Sequence, residues 1–462
     1  MSIKIGDHRD VVVAGGGPAG IIAALAAARN GAKTLLVEQN SFVGGTAVTG
    51  LPLNGFHNNR GEQIVKGIPW ELVSRLMESG DAVLARNVGT KGPLGKGGEE
   101  FISDNIPVRP EAFKYAAWEM LRNEGVELLL HTFVSDVVMS KNIVTGLVIE
   151  NKSGRQVIPA GNVVDCTGDG DVAFLAGAPF EKGRKPDGKM QPMTMLFMMT
   201  GIDLDRAEAE NIAFPRNRRV VGSAEWESFY RKADVRLDRW VDELKKEFPH
   251  SGIERGFMIR YWGDGVYYGG NMLHIPYYDA SVGEELSNAV TEARSILWRL
   301  TEFLRKSVPG FENVHLIHTF NIGIRETRRI MGDYELTYED VVDAKRHEDD
   351  VALNGYFVDI HDYDGSWLYI PEKGTQVKDH GAYGIPYRCL LPRDVEGLVI
   401  AGRCLSATHE AHSSARVMGT CMAMGEAAGT GASLSIKEGV GPRDVNRETL
   451  LTTLENQGAT IK

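Results

Sequence analysis

The run Gly15-Gly16-Gly17-Pro18-Ala19-Gly20, followed by a carboxylate at Glu38, has the residue types and spacing that hold a dinucleotide. Gly15 permits a tight turn, Gly17 lets backbone approach a pyrophosphate, and Gly20 lets a helix lie close to its strand. The helix that opens there directs backbone N–H groups and a positive dipole end at phosphate. Glu38, at the end of the next apolar run, accepts hydrogen bonds from an adenosine ribose.

These residues need a βαβ unit to position them, and the flanking sequence supplies one. Val11-Val12-Val13-Ala14 reads as the first strand, Ile21 to Arg29 as the helix, and Thr34-Leu35-Leu36-Val37 as the second strand. Asn40 to Gly61, with Gly44-Gly45-Thr46, is expected to line the cofactor. An amphipathic helix is expected near Trp70 to Met77. Asp81 to Glu100, rich in glycine and lysine, reads as a mobile surface loop that could serve as a lid. Pro110 opens a helix over Glu111 to Glu124, Gly125 stops it, and Val126 to Leu130 reads as a strand. Val134 to Val138 and Ile143 to Glu150 form a hairpin-like pair. Gln156 to Ile158 then leads into Asn162-Val163-Val164-Asp165-Cys166-Thr167-Gly168-Asp169-Gly170-Asp171, an apolar strand ending in glycine and acid.

From about Ala178 to Val314 the pattern changes to aromatic strand candidates such as Tyr267 to Tyr278 beside long charged helices such as Glu284 to Arg305. Nucleotide-binding character returns at Gly397-Leu398-Val399-Ile400-Ala401-Gly402-Arg403 and in a helix of small residues from about Arg416 to Leu434. The expected organisation is a nucleotide-binding domain split between 1–177 and 391–462, with a substrate domain over 178–390 whose segments near 320–390 return toward the interface.

Composition narrows the function classes. The chain has 462 residues, 43% hydrophobic and 24% charged, enough to bury a large core and divide into two lobes. A formal charge of −11 provides no broad basic field for nucleic acid, and the run Arg216-Asn217-Arg218-Arg219 reads as solvated surface. The first strand begins almost at once, so no signal peptide is expected. The apolar run Pro192 to Ile202 is too short to span a membrane and reads as a buried strand. Cys166, Cys389, Cys404 and Cys421 lack the close spacing of an iron–sulfur, zinc or redox-disulfide site, so no metal is expected and the default location is the cytoplasm.

Three segments, GGGPAG with Glu38, VVDCTGDGDVAFLAGA and GLVIAGRCLSATHEAHSSARVMGTCMAMGEAAG, resemble FAD-dependent oxidoreductases of the glutathione-reductase-like superfamily. With Ile324 to Ile330, Asp359-Ile360-His361 and Tyr383 to Arg388, the chain looks like the bacterial FAD-dependent oxidoreductases related to fumarate reductase flavoproteins. The likeness covers most of the chain and is weakest over Ala178 to Val314. It implies an α/β fold: a Rossmann-like FAD-binding domain of glutathione-reductase type with an inserted α+β substrate domain.

Carried onto this sequence, the resemblance puts Gly15, Gly17, Pro18, Ala19 and Gly20 at the FAD pyrophosphate and Glu38 with Gln39 at the adenosine. Gly44, Gly45 and Thr46 would follow the cofactor toward the flavin, the Val134 backbone would meet the adenine, and Gly168 and Asp169 would close the other side. Gly402 and Arg403 would meet the pyrophosphate or ribityl chain. The helix starting at Val417-Met418-Gly419-Thr420 would point its positive end at flavin N1 and C2=O, where negative charge develops on reduction.

Flavin carries the electrons, so the protein must orient a substrate carbon and handle a proton. His409 is the first candidate for the proton, with His412 beside it contributing to substrate choice. Arg325, with Arg328 in the same basic run, could clamp a substrate carboxylate or join an ion-pair network. Arg416 could stabilise negative charge or form a salt bridge. His57 and His361 are weaker pocket candidates. Tyr261, Trp262, Tyr267, Tyr268, Tyr277 and Tyr278 read chiefly as core aromatics.

The expected function is that of a dehydrogenase or reductase moving a hydride between flavin N5 and a small organic substrate held between domains, with an unidentified electron partner. A flavin monooxygenase using NAD(P)H and oxygen, or a flavoprotein subunit of a larger electron-transfer complex, stands beside it. A homo-oligomer is compatible with the sequence.

Overall fold

The computed structural model describes residues 4–90, 101–215, 219–221, 231–253, 256–270, 273–364, 368–369 and 371–462. The second half of the expected lid, 91–100, and positions 216–218 of the basic run lie outside the described residues. Leu84–Thr90 is not loop but a strand, paired with Phe101–Asn105.

Among the described residues an eight-stranded sheet forms the nucleotide-binding part. Strand β1 (Arg9–Ala14) runs into α1 (Pro18–Arg29), and β2 (Thr34–Val37) returns parallel to β1. After α2 (Gly67–Glu78) and α3 (Pro110–Asn123) come β3 (Glu127–Leu129), β4 (Phe133–Ser140), β5 (Ile143–Asn151) and β6 (Gly154–Asp165). The order is β3-β2-β1-β6-β5-β4, and Leu398–Ile400, far away in sequence, joins β6 in parallel.

The segments near 156–158 and 162–165, read separately in the sequence, are one continuous strand. Pro159 does not break it because the strand changes partner there: it pairs antiparallel with β5 up to Pro159 opposite Gly146, then parallel with β1 from Ala160.

A second sheet is wholly antiparallel. Its strands are β7 (Phe197–Thr200), β8 (Ala213–Pro215), β9 (Arg231–Val235), β10 (Phe257–Tyr261), β11 (Val266–Gly270) and β12 (His315–Thr319), in the order β8-β9-β10-β11-β7-β12. The long helix α4 (Gly283–Ser307) buries Ala289, Ala293, Ile296, Leu297, Leu300 and Leu304 against it, with acidic residues in its first turn and basic ones in its last. Trp262, Tyr267 and Tyr268 are buried as core aromatics, and Tyr261 and Tyr278 pack partly buried against the same core, but Tyr277 is exposed rather than core.

Helices α5 (His409–Ala415) and α6 (Met418–Glu438) complete the nucleotide-binding part. They are separate, where the sequence suggested one helix from about Arg416, because Arg416 and Val417 cap rather than continue the turn. Helix α1 is apolar all round and buries Ile21, Ile22 and Leu25, each burial contributing about 1.5–3 kcal/mol. It packs against α6 through small residues: a Cβ on Gly425 would lie 2.2 Å from the Ala19 carbonyl oxygen, and one on Gly429 would lie 2.1 Å from that of Ala23.

Gly429→Ala should therefore force α1 and α6 apart and destabilise the protein by about 1–3 kcal/mol, read as a lower Tm. Gly283→Ala, at the exposed start of α4 with nothing within 4 Å of the added Cβ, should be neutral or stabilising.

Candidate functional site

A cleft of about 520 Å³ opens at the C-terminal edge of β1 and extends to the second sheet. At one end Gly15, with φ +95°, turns the chain so tightly that a Cβ would meet the Cys166 carbonyl oxygen at 2.5 Å. Gly20 lies so close beneath that its Cβ would sit 1.8 Å from the Gly15 oxygen, whereas a Cβ on Gly17 would meet nothing within 4 Å. The three glycines thus divide into turn, helix contact and open cleft wall.

Glu38 is buried. Its carboxylate accepts hydrogen bonds from the Gly16 N–H (2.6 Å), the Asn40 N–H (2.7 Å) and Asn40 Nδ2 (2.6 Å). A carboxylate offers about four lone-pair sites, so capacity remains for a ribose hydroxyl. At the end of β6, the fully buried Asp165 accepts from Thr167 and from the Ala173 N–H, bracing the turn that carries Gly168 and Asp169. Asp169 in turn accepts from Arg403 Nη2 (2.7 Å) and Thr327 Oγ1 (2.6 Å).

Two helices start on this cleft with neither a side-chain cap nor a first-turn acid. Gly17 is the N-cap of α1 and Val417 that of α6. Their leading N–H groups form positive ends that suit an anion. Among those of α6, the Gly419 N–H is taken by the Asn54 carbonyl (2.8 Å). An open glycine wall, a buried carboxylate with spare acceptor capacity and two uncapped helix starts on one elongated cleft fit a dinucleotide cofactor.

The other end of the cleft gathers Arg325, Arg416, Asp359, Tyr356, His361 and Ser413. Arg325 Nη1 donates to the Pro192 carbonyl (2.6 Å). Arg416 Nη2 donates to Gln191 Oε1 (3.1 Å) and the Asp359 carbonyl (2.9 Å). Burial pushes the Asp359 carboxyl up against the opposing pull of Arg416 and Arg325. Burial, helped by the Arg416 charge, brings Arg325 down to about 9. His361 Nε2 lies 3.5 Å from Asp359 Oδ1.

Of the residues singled out in the sequence, Gly15, Gly17, Pro18, Ala19, Glu38, Gln39, Gly45, Thr46, Val134, Gly168, Asp169, Arg325, Gly402, Arg403, Arg416 and Met418 line this cleft. Gly20, Gly44, Gly419 and Thr420 stand behind its wall: the Gly44 N–H, for example, is spent on the Gly16 carbonyl at 2.7 Å.

The two histidines also stand behind it. His409 is buried, its Nδ1 2.9 Å from Glu326 Oε1. Burial favours a protonated Glu326, but His409, His412 and the paired Arg329 hold its pKa at about 2. His412 donates from Nε2 to the Arg403 carbonyl (2.8 Å), and burial drives its pKa well below the usual range.

Arg328 pairs with Asp171 and packs over Phe174, while His57 lies near Asp104, off the cleft. Among the cleft residues that the sequence did not single out are Tyr356, Thr194, Leu196, Arg294 and Phe320. No spacing signal marked them, since they converge from separate loops and helices. Among the described residues no three His, Cys, Asp or Glu side chains gather as a metal site.

Gly17→Ala should leave the Tm of the cofactor-free protein unchanged, since its Cβ meets nothing, yet weaken FAD binding about tenfold or more by filling the approach to the helix start. Glu38→Ala should weaken FAD binding similarly by removing a charged acceptor. Equilibrium dialysis measures both, and unchanged affinity in both variants would remove this end of the cleft as the cofactor site.

The thiamine thiazole synthase of Aeropyrum pernix is 32% identical over 204 residues, which are 42% of this chain and 66% of that protein. The thiamine thiazole synthase of Methanococcus vannielii is 34% identical over 169 residues, 34% of this chain and 56% of that protein. The chain therefore spans between about half and two thirds of the length of these curated relatives. A geranylgeranyl bacteriochlorophyll reductase-like protein of Thermoplasma acidophilum aligns over 98% of this chain and 84% of its own, with 16% identity and a TM-score of 0.44. The model of the FAD dependent oxidoreductase family matches residues 10–454, and the chain belongs to that enzyme family, whose cofactor is FAD.

Proposed function

We propose that the protein is a cytoplasmic dehydrogenase or reductase that moves a hydride between flavin N5 and a carbon of a small organic substrate. In this reading a glutathione-reductase-type FAD domain (1–177 and 391–462) holds the cofactor, and the region 178–390 supplies the substrate walls. The observation that carries it is one cleft with two uncapped helix starts at the cofactor end and, at the other, the buried Arg325 beside the partly buried Arg416, Asp359, Tyr356 and His361. No described helix is long and apolar enough to cross a membrane.

FAD, when bound, supplies the two-electron chemistry. The chain's own groups do the rest. The start of α6, with Met418 on the cleft wall, offers its dipole to negative charge on the cofactor's pyrimidine side. Arg403, held in place by Asp169 and Thr327, would hold the middle of the cofactor. Asp359 and His361 form the proton-handling pair, with the proton received at Asp359 Oδ1.

His409 acts at a remove in this scheme. It orients Glu326, which accepts from the Gln191 N–H (3.3 Å), while Gln191 Oε1 accepts from Arg416 and from the His361 N–H (3.1 Å). It is a positioning residue rather than the proton carrier.

Anaerobic titration of the purified flavoprotein with hydroxy acids, amines, sugars and nicotinamides tests the reaction class. Bleaching by an organic compound is the expected result; bleaching by nicotinamides alone would replace the proposal with a nicotinamide-dependent monooxygenase or reductase. Asp359 provides a second test. As a base it works ionised, so kcat/KM in the oxidative direction should rise with pH through a pKa above the ordinary carboxylate value. Asp359→Asn should keep FAD, lower kcat about a hundredfold or more and abolish that limb; a retained limb would remove Asp359 from the proton step.

A further inference from the structure

Asp359 holds the ring of His361 only loosely. His361 Nε2 lies 3.5 Å from Asp359 Oδ1, at the outer limit of a hydrogen bond, while the backbone N–H of His361 is fixed by Gln191 Oε1 at 3.1 Å. The second side-chain torsion of a histidine is broad and roughly two-fold, so packing helps to choose where the ring nitrogens point. A proton-handling group works where its nitrogen faces the atom it serves, and a small misplacement takes it out of reach.

A second imidazole stands against that ring. His274 is buried, and its ring centre lies 5.1 Å from that of His361 with the planes at 78°, an edge-to-face contact. His274 is itself firmly placed. It belongs to the short strand His274–Ile275, paired antiparallel with Met193–Thr194, so that Thr194 on the cleft wall lies opposite it. Its N–H donates to the Ser251 carbonyl (2.7 Å), and Thr194 Oγ1 donates to the carbonyl of Leu273 beside it. Leu273 and Ile275, on either side, are both buried in the core of the second sheet.

We infer that His274 is a positioning residue for His361: its buried ring holds the His361 imidazole edge-to-face and keeps Nε2 on the Asp359 side. His274 is not a cleft-wall residue, so it acts through His361. The inference rests on the proton role proposed above for Asp359 and His361, and it adds a group that sets their mutual geometry. The ring contact does the positioning, so phenylalanine should replace His274 and glutamine should not. A histidine that merely filled the core would affect stability and leave the behaviour of His361 as it is.

Nuclear magnetic resonance of the FAD-loaded protein, carbon-13 labelled in its histidine rings, tests this without turnover. In the wild type the ring C–H groups of His274 and His361 should show a nuclear Overhauser contact. The Asp359 charge favours the imidazolium of His361, while Arg325 and Arg416, which act on Asp359, oppose it. Loosening the ring from Asp359 should therefore lower the titration midpoint of His361, by about half a pH unit or more in His274→Gln. In His274→Phe the midpoint should stay within about 0.2 unit of the wild type.

Turnover supplies the second readout, with whichever compound bleaches the flavin. His274→Gln should keep FAD and lower kcat about tenfold or more, with KM changed by about threefold or less. His274→Phe should hold kcat within about threefold of the wild type. No Overhauser contact in the wild type, an unmoved His361 midpoint in His274→Gln, or a His274→Phe as impaired as His274→Gln would each overturn the inference. The first of these needs no variant, so it decides the matter even where a substitution prevents folding. A midpoint that moves as expected while no compound bleaches the flavin would instead sink the hydride-transfer reading and leave the positioning of His361 standing.

Discussion

The approach of α6 to α1 is the contact on which the rest of the molecule depends. Gly425 and Gly429 let α6 lie directly against the Ala19 and Ala23 carbonyls, so the two helices meet backbone to backbone. That approach brings the starts of both helices to the same cleft, although Gly17 and Met418 lie at opposite ends of the chain. Neither start carries a capping side chain or a first-turn acid, so their dipoles stay available to a ligand. Larger residues in the α1 and α6 interface would separate the helices and the two positive ends with them.

The opposite end of the cleft follows different physics. Buried ionisable groups are tolerated where partners or geometry compensate them. Glu326 meets that condition with Arg329 and His409, and Asp169 meets it with Arg403. Arg325, Arg416 and Asp359 stand together at the far end of the cleft, where Arg416 donates to the Asp359 carbonyl and to Gln191. In the proposed reading the cleft joins a cofactor end built from backbone dipoles to a substrate end built from side-chain charge.

Legibility in the sequence divides along the same line. The first βαβ unit could be read closely, because strand, glycines, helix, second strand and Glu38 are local and each has one physical reason to be there. The opposite end of the cleft could be read only in part. Arg325, Arg416 and His361 were visible as chemistry-bearing residues, but Tyr356 and Ser413 become meaningful only when distant segments fold together.

His409 shows why the site could not be read from motif position alone. His409, His412, Ser413 and Arg416 share one helical stripe, so periodicity does not separate them. The cleft meets that stripe at the last turn of α5, reaching Ser413 and Arg416, while His409 in the first turn leans back toward Glu326.

The most direct test of the account is a crystal structure of the protein with FAD bound. The account predicts the pyrophosphate within hydrogen-bond reach, roughly 3 Å, of the N–H groups at the start of α1, with the flavin's pyrimidine edge at the start of α6 and Arg325, Arg416 and Asp359 facing the space before the ring. FAD seated elsewhere, or a flavin whose pyrimidine edge points away from Met418, would contradict it.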